Sequence, residues 1–372
     1  MTPNASVPQP PIRVLIVAPS LDILGGQAVQ ADRLLQYLSS EPGLAMGFLP
    51  VNPRLPGPLA ALQKIKYLRT IVTELRYAAA LLTTVRRYDV IHIFSASYFS
   101  FLLAPTPAIL AARLYGKRIV LNYRSGEAED HLARWPSAIA TLRMAGVIAV
   151  PSAYLVDVFA RFGLRARAVF NVVDRRRFRF RLRSPLRPVF LTNRGLEPMY
   201  NVECVLRAFA AIQKRVPEAR LIVANDGGSR RSLESLARQL DLKNAEFVGR
   251  VSQERSPTLY DSADIFLNGS DIDNMPGSLL ECFAAGLPVV TTDAGGIPYI
   301  VADGETGLLV HRGDHQAMAA AALRLLAEPS LAERLAQTAH RQCELYTWDA
   351  VKNQWLDLYR GATVAQTSLS VS

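Results

Sequence analysis

IRVLIVAPS, residues 12–20, followed by the turn LDILGGQ (21–27) and the periodic stretch AVQADRLLQYLSS (28–40), decides the fold class. A β-branched run without polar alternation is a strand covered on both faces, and the apolar spacing after the turn is that of a helix. The alternation returns at YDVIHIFSAS (88–97), KRIVLNYRSG (117–126) and VIAVPSAYLVDVFARFG (147–163). A second series runs through VFLTNRGLE (189–197), ARLIVANDGG (219–228), AEFVGRV (245–251), ADIFLNGS (263–270), LPVVTTDAGG (287–296) and ETGLLVHRGD (305–314). Strands interleaved with helices predict parallel sheets, here two doubly wound α/β domains in tandem whose ligand crevice lies at the carboxyl ends of the strands.

Between the two series DRRRFRFRLRSPLRP (174–188) breaks the pattern and reads as the seam. The expected organisation is a Pro-rich tail at 1–11, a first domain at 12–184, a second at 185–345, and a terminal segment at 346–372 whose aromatic helix, YTWDAVKNQWLDLYRG (346–361), packs back on the first domain. The apolar stretch 98–116, interrupted by Pro105, Pro107 and Arg113, reads as a buried helix and not as a span.

Composition sets the class of partner. The 372 residues are 50% hydrophobic and 20% charged, a globular profile, and carry a formal net charge of +10. That excess favours an anionic partner, and without a helix-turn-helix, zinc-finger or RNA-binding aromatic motif it points to phosphate or an anionic membrane surface and away from nucleic acid. Cys204, Cys282 and Cys343 lack metal-ligand spacing, so no metal is expected and a reducing, cytoplasmic compartment fits. Segment 59–88 mixes apolar positions at helical spacing with Lys64, Lys66, Arg69, Arg76, Arg86 and Arg87, a pattern of a helix lying on anionic lipid or of a soluble helix with a solvated basic face.

The chemistry concentrates in DNMPGSLLE, residues 273–281. Asp, Asn, Pro and Gly favour a loop, whereas SLLECFAAG favours a helix, with Ser278 or Asn274 as the cap and Gly286 as the stop. The free N–H groups of such a helix start receive anions. Asp273 and Glu281 would repel phosphate, so they suit hydroxyls of a sugar and a ribose; spacing alone equally allows a cap and a dipole partner.

The stretch SDIDNMPGSLLECFAAGLPVVTTDAGGIPYIV (270–301) resembles the sugar-nucleotide site of retaining glycosyltransferases of family 4. NRGLEPMYNV (193–202), LIVANDGG (221–228), FVGRV (247–251), the glycines Gly25 and Gly26, and Trp348, Asp349 and Tyr359 extend the match along most of the chain. The resemblance implies a GT-B fold with two Rossmann-like domains, an active site in the interdomain cleft, and no required metal or cofactor. The implied donor is a UDP- or GDP-linked sugar, and the implied acceptor a glycan or lipid-linked glycan on the cytoplasmic side, possible membrane contact included.

Carried over by position, Glu281 would hold the donor ribose and Asp273 the transferred sugar, one methylene shorter than the family's usual Glu. Asn274, Met275, Pro276, Gly277 and Ser278 would offer backbone N–H groups. Arg194 would grip the diphosphate as a permanently charged planar fork. Gly25 and Gly26 would approach donor and acceptor, and Arg250 and Val251 would lie along the nucleotide. Tyr200 stands where the family has a lysine, and Arg250 is the candidate to compensate. Arg124 stands where the family has a histidine near the sugar, with His131 as a substitute or as a solvent-exposed loop residue; His92, inside an apolar strand, reads as a core histidine. The resemblance implies a retaining transferase, with a nucleotide-sugar epimerase or a weak glycan-binding protein as alternatives.

Overall fold

A computed structural model describes residues 10–21, 26–54 and 68–361. The chain divides into two compact units. The first holds the described residues up to Val150, Val158–Val169 and those from Lys352 onward; the second holds Pro151–Asp157 and Phe170–Val351.

The first unit contains a six-stranded sheet in the order β2-β1-β3-β4-β5-β6. Its strands are β1 (Ile12–Ala18), β2 (Leu44–Pro50), β3 (Val90–Ser95), β4 (Arg118–Tyr123), β5 (Val147–Val150) and β6 (Ala166–Ala168). Every pairing is parallel, Val14 of β1 lying opposite Met46 and Val90. Val14 to Ala18 are fully buried, as expected of a strand with helices on both faces.

The chain's last helix, Trp348–Arg360, serves this sheet from Lys352 onward. Within β3 the buried His92 ring stacks on Trp355 at 4.8 Å, and its Nδ1 lies 2.7 Å from the Tyr359 hydroxyl. Asn122 Nδ2 lies 3.2 Å from His92 Nε2. Burial lowers the His92 pKa to about 3, so the ring is a neutral core group.

Residues 98–116 differ from the single buried helix expected. Pro105 starts a second helix, giving Tyr98–Leu103 and Pro105–Leu114, and their outer faces leave Phe99, Leu102, Leu110 and Leu114 exposed. Proline suits a first helical turn and not an interior, which explains the break at Ala104. In the basic segment, Lys64 and Lys66 lie outside the described residues. The helix Leu68–Thr84 buries Tyr77 and Leu81 and exposes Ile71 and Leu75. Among the described residues no helix is long and apolar enough to cross a membrane.

The second unit contains a parallel six-stranded sheet in the order β12-β11-β10-β7-β8-β9. Its strands are β7 (Val189–Asn193), β8 (Arg220–Ala224), β9 (Ala245–Gly249), β10 (Ile265–Asn268), β11 (Val289–Thr292) and β12 (Leu308–Val310). The chain winds outward from β7 to β8 and β9, then returns to β10 and winds the other way. The order therefore reverses between β7 and β10, where a doubly wound sheet opens a crevice at its carboxyl edge.

The arginine run 174–188 lies in the second unit and takes part in its packing. The buried Arg183 guanidinium donates to the carbonyls of Ala263, Ala285, Gly286, Tyr260 and Arg181, at 2.7 to 3.1 Å. Two of those carbonyls close the helix Gly277–Ala285, and Gly286 ends it at φ +67°. Arg181 and Arg187 both pair with the buried Asp264. Their hydrogen bonds outweigh burial and hold its carboxyl below the usual range. Fixed guanidinium forks can satisfy several carbonyls at once, which is why arginine rather than lysine fills this run.

Candidate functional site

The switch between β7 and β10 supplies the two central side chains. Arg194 is the first residue beyond β7, and Asp273 lies in the loop after β10. Arg194 Nη2 donates to Asp273 Oδ2 at 2.6 Å, and Nη1 reaches Ser278 Oγ at 3.5 Å. Ser270 Oγ donates to the same Asp273 oxygen at 3.1 Å, and the Asn274 amide donates to Oδ1 at 3.0 Å. Asp273 is only 8% exposed.

The helix beside this pair begins at Gly277, with Pro276 as its N-cap in extended conformation, two residues before Ser278 and two after Asn274, the caps expected. Proline presets the entry angle and leaves the first turn's amides pointing out of the helix start. Asn274 and Met275 are held below by other segments of the unit. The Ser152 hydroxyl donates to Asn274 Oδ1, and Asn171 Nδ2 donates to the Met275 carbonyl at 2.8 Å. Arg194 Nε and Asn274 Nδ2 are buried donors without a hydrogen-bond partner among the described residues. Two orphan donors on either side of one carboxylate, next to a helix start, form a site that accepts oxygen ligands.

The GG turn after β11 closes the loop from outside. A Cβ on Gly295 would lie 2.2 Å from the Asp273 carbonyl oxygen, and one on Gly296 would lie 2.2 Å from that of Asn274. The Gly296 amide donates to the Asp273 carbonyl at 3.2 Å. Only glycine lets the two backbones touch there.

Glu281 is the fifth helical residue and half-buried. Its partner is the buried Tyr260 phenol, whose pKa burial pushes well up, with Glu281 adding to the rise. Asn193 Nδ2 donates to that phenol at 3.0 Å, and Asn225 Nδ2 donates to Asn193 Oδ1 at 2.8 Å. A relay of neutral groups thus runs from the ends of β7 and β8 to Glu281 and fixes where its carboxylate stands. Tyr260 and both asparagines were not singled out in the sequence; an asparagine at the end of β7 and another just beyond β8, in LTNRG and VANDGG, is the signal that marks them.

The remaining candidates fall elsewhere. Arg250 is 63% exposed at its side chain and has its Nε 3.9 Å from Asp226 Oδ2. No hydrogen bond or ion pair among the described residues joins it to Arg194 or Asp273. Val251 is half-buried and packs on the core around Leu279 and Phe283. Tyr200 lies with its ring 4.2 Å from Arg194 Cζ.

In the first unit, Gly26 opens the helix Gly26–Ser39 with open space where a Cβ would stand, and Gly25 lies outside the described residues. Arg124 follows β4 with its guanidinium 5.4 Å from the Phe94 ring, and burial lowers its pKa to about 10. His131 is not in a solvated loop: it sits fully buried in the helix Ala128–Arg134, its Nδ1 2.8 Å from the Tyr123 hydroxyl. The apolar ring of Phe101 and the helix's inward face make that position a buried one, and burial lowers the His131 pKa to about 4. Among the described residues no cluster of His, Cys, Asp and Glu is arranged to hold a metal.

Residues 174–342 match the family model described as glycosyl transferases group 1. The chain is 33% identical over 211 residues to a D-inositol 3-phosphate glycosyltransferase of Nocardioides sp., covering 52% of this chain and 46% of that protein. It is 26% identical to a sulfoquinovosyl transferase of Arabidopsis thaliana, covering 76% and 59%. The chain thus spans about half the length of these relatives. Among solved structures it is similar to HepE of Anabaena in complex with UDP and glucose, with a TM-score of 0.73 at 17% identity over 94% of this chain and 100% of that one. It is also similar to a sucrose-phosphate synthase of Thermosynechococcus elongatus, with a TM-score of 0.77 at 20% identity over 94% and 98%. At these identities the likeness is one of fold, and the fold is GT-B.

Proposed function

From the match of residues 174–342 to the glycosyl transferases group 1 model, we propose that the chain is a retaining glycosyltransferase that takes its sugar from a UDP- or GDP-linked donor held by the second unit. The observation that carries this reading is the Arg194–Asp273 pair at the β7/β10 switch, flanked by the orphan donors Arg194 Nε and Asn274 Nδ2 and by the start of the helix Gly277–Ala285. Donors and a helix start suit the diphosphate, Asp273 suits sugar hydroxyls, and Glu281, fixed by Tyr260, suits the ribose.

In the proposed reaction the bond between the sugar C1 and the β-phosphate oxygen breaks, leaving its electron pair on that oxygen. The acceptor hydroxyl adds to C1 on the same face, and its proton passes to the departing diphosphate. Arg194, permanently charged and already fixed, stabilises the negative charge as it grows. No metal is assigned to the step. The acceptor is a glycan or lipid-linked glycan, and exposed Ile71 and Leu75 beside Arg69 and Arg76 support peripheral contact with an anionic membrane at the cytoplasmic face.

A panel of UDP-, GDP- and ADP-sugars tests the reading by thermal shift and by release of nucleoside diphosphate, with the anomeric configuration of the product read by NMR. Inversion at C1 would overturn the retaining course. Absence of both binding and turnover across the panel would overturn the transferase.

A further inference from the structure

We infer that Tyr200 is a positioning residue for Arg194, standing in for a second cation, so that the leaving diphosphate is held by one permanently charged guanidinium. The inference rests on the transferase reading above and concerns the same site.

The guanidinium is held between two groups: the Asp273 carboxylate, 2.6 Å from Nη2, and the Tyr200 ring, 4.2 Å from Cζ. Both are built into the backbone. Tyr200 ends the 3-10 turn Pro198–Tyr200, its amide donating to the Glu197 carbonyl at 3.0 Å. The Met199 carbonyl in that turn accepts from the amides of Asp271 and Ile272 at 3.0 and 3.2 Å, which ties the turn to the loop of Asp273. Asn201, at φ +39°, caps the next helix through the Cys204 amide and donates to Asp271 at 3.1 Å. A Cβ on Gly195 would meet the Tyr200 ring at 3.2 Å, so the ring lies close against the backbone next to Arg194.

A lysine at position 200 would place a second positive charge beside Arg194, and the two would repel until an anion arrived. An aromatic face instead attracts the guanidinium and orients its plane. It also removes a titrating group, because a lysine so close to an arginine loses its proton more readily, whereas arginine keeps its charge throughout the working range.

The test measures kcat and the donor KM for Tyr200→Ala, Tyr200→Phe, Tyr200→Lys and Arg194→Ala with the donor that the wild-type protein turns over. Loss of the face lowers kcat about 10-fold in Tyr200→Ala, with a smaller change in KM. Tyr200→Phe, which keeps the face, recovers most of that loss. Tyr200→Lys acquires a fall in kcat at alkaline pH that the wild type lacks. Should Tyr200→Ala melt below the assay temperature, Tyr200→Leu keeps the bulk without the face and takes its place. An unchanged kcat in the Ala or Leu variant, or a loss that Phe does not recover, overturns the positioning role. Absence of donor turnover by the wild-type protein overturns the transferase reading itself, an Arg194→Ala protein that binds and turns over donor like wild type overturns the role of Arg194 and with it that of Tyr200, and a damaged Arg194→Ala beside an intact Tyr200→Ala overturns only the role of Tyr200.

Discussion

Gly295 lies so close to Asp273 that a Cβ would stand 2.2 Å from the Asp273 carbonyl oxygen, and its φ of +52° is one that other residues adopt at a cost. Gly295→Ala should therefore push the loop of Asp273 outward. We expect a loss of at least about 2 kcal/mol in stability from the strain alone. Donor turnover should fall further than the melting temperature suggests, because Arg194 loses its partner's position. Chemical denaturation and steady-state kinetics on one preparation check both.

The two acids should fail differently. Asp273→Asn removes the charge that pairs with Arg194 and is expected to abolish transfer while largely sparing the affinity for free nucleoside diphosphate. Glu281→Gln is expected to weaken nucleotide binding itself by about tenfold, since a hydrogen bond to a charged group is lost. Isothermal titration with the nucleotide, set beside turnover, separates the two; small and equal effects would make both acids structural.

Arg183 is a stability residue rather than a ligand. Arg183→Lys keeps the charge but cannot reach the five carbonyls that the guanidinium satisfies, and we expect about 3 kcal/mol of destabilisation. The donor KM measured well below the melting temperature should stay within a few-fold of wild type, by the same order-of-magnitude reasoning for a remote site.

Acid should weaken the first unit through its histidines. The folded-state pKa values of His92 and His131 are lowered to about 3 and about 4 from an ordinary 6.5, so between those values and 6.5 the unfolded chain binds more protons. Stability is then complete above pH 6.5 and declines as pH falls, with a slope of up to about 1.4 kcal/mol per pH unit for each ring. Denaturation midpoints from pH 7.5 to 4.5 should show this decline, and a His92→Gln variant, though weaker at neutral pH, should show a shallower one.

The layered fold was legible because the central strands are apolar without alternation and end in turns, as Val14 to Ala18 and Val289 to Thr292 illustrate. The acids, the arginine and the GG turn were legible as a motif, and the strand order places Arg194 and Asp273 at one switch point. Their mutual hydrogen bond was not, since a local pattern cannot say that a residue after β7 meets one after β10, 79 positions later. The packing of the arginine run was hidden for a related reason: its seven arginines are local in sequence, whereas four of the five carbonyls that hold Arg183 come from residues more than 70 positions away. His131 misled because its charged neighbours Glu129 and Asp130 share its helix but not its face.

The contact between Tyr359 and His92 spans 267 positions and brings the last described helix onto the third strand. During synthesis His92 of the first sheet lacks its hydroxyl partner and its Trp355 cover until Trp355 and Tyr359 have been made. The described residues of the second unit end at Val351 and so are made earlier. A chain that ordinarily matures from its amino end would here finish its carboxyl-side unit first.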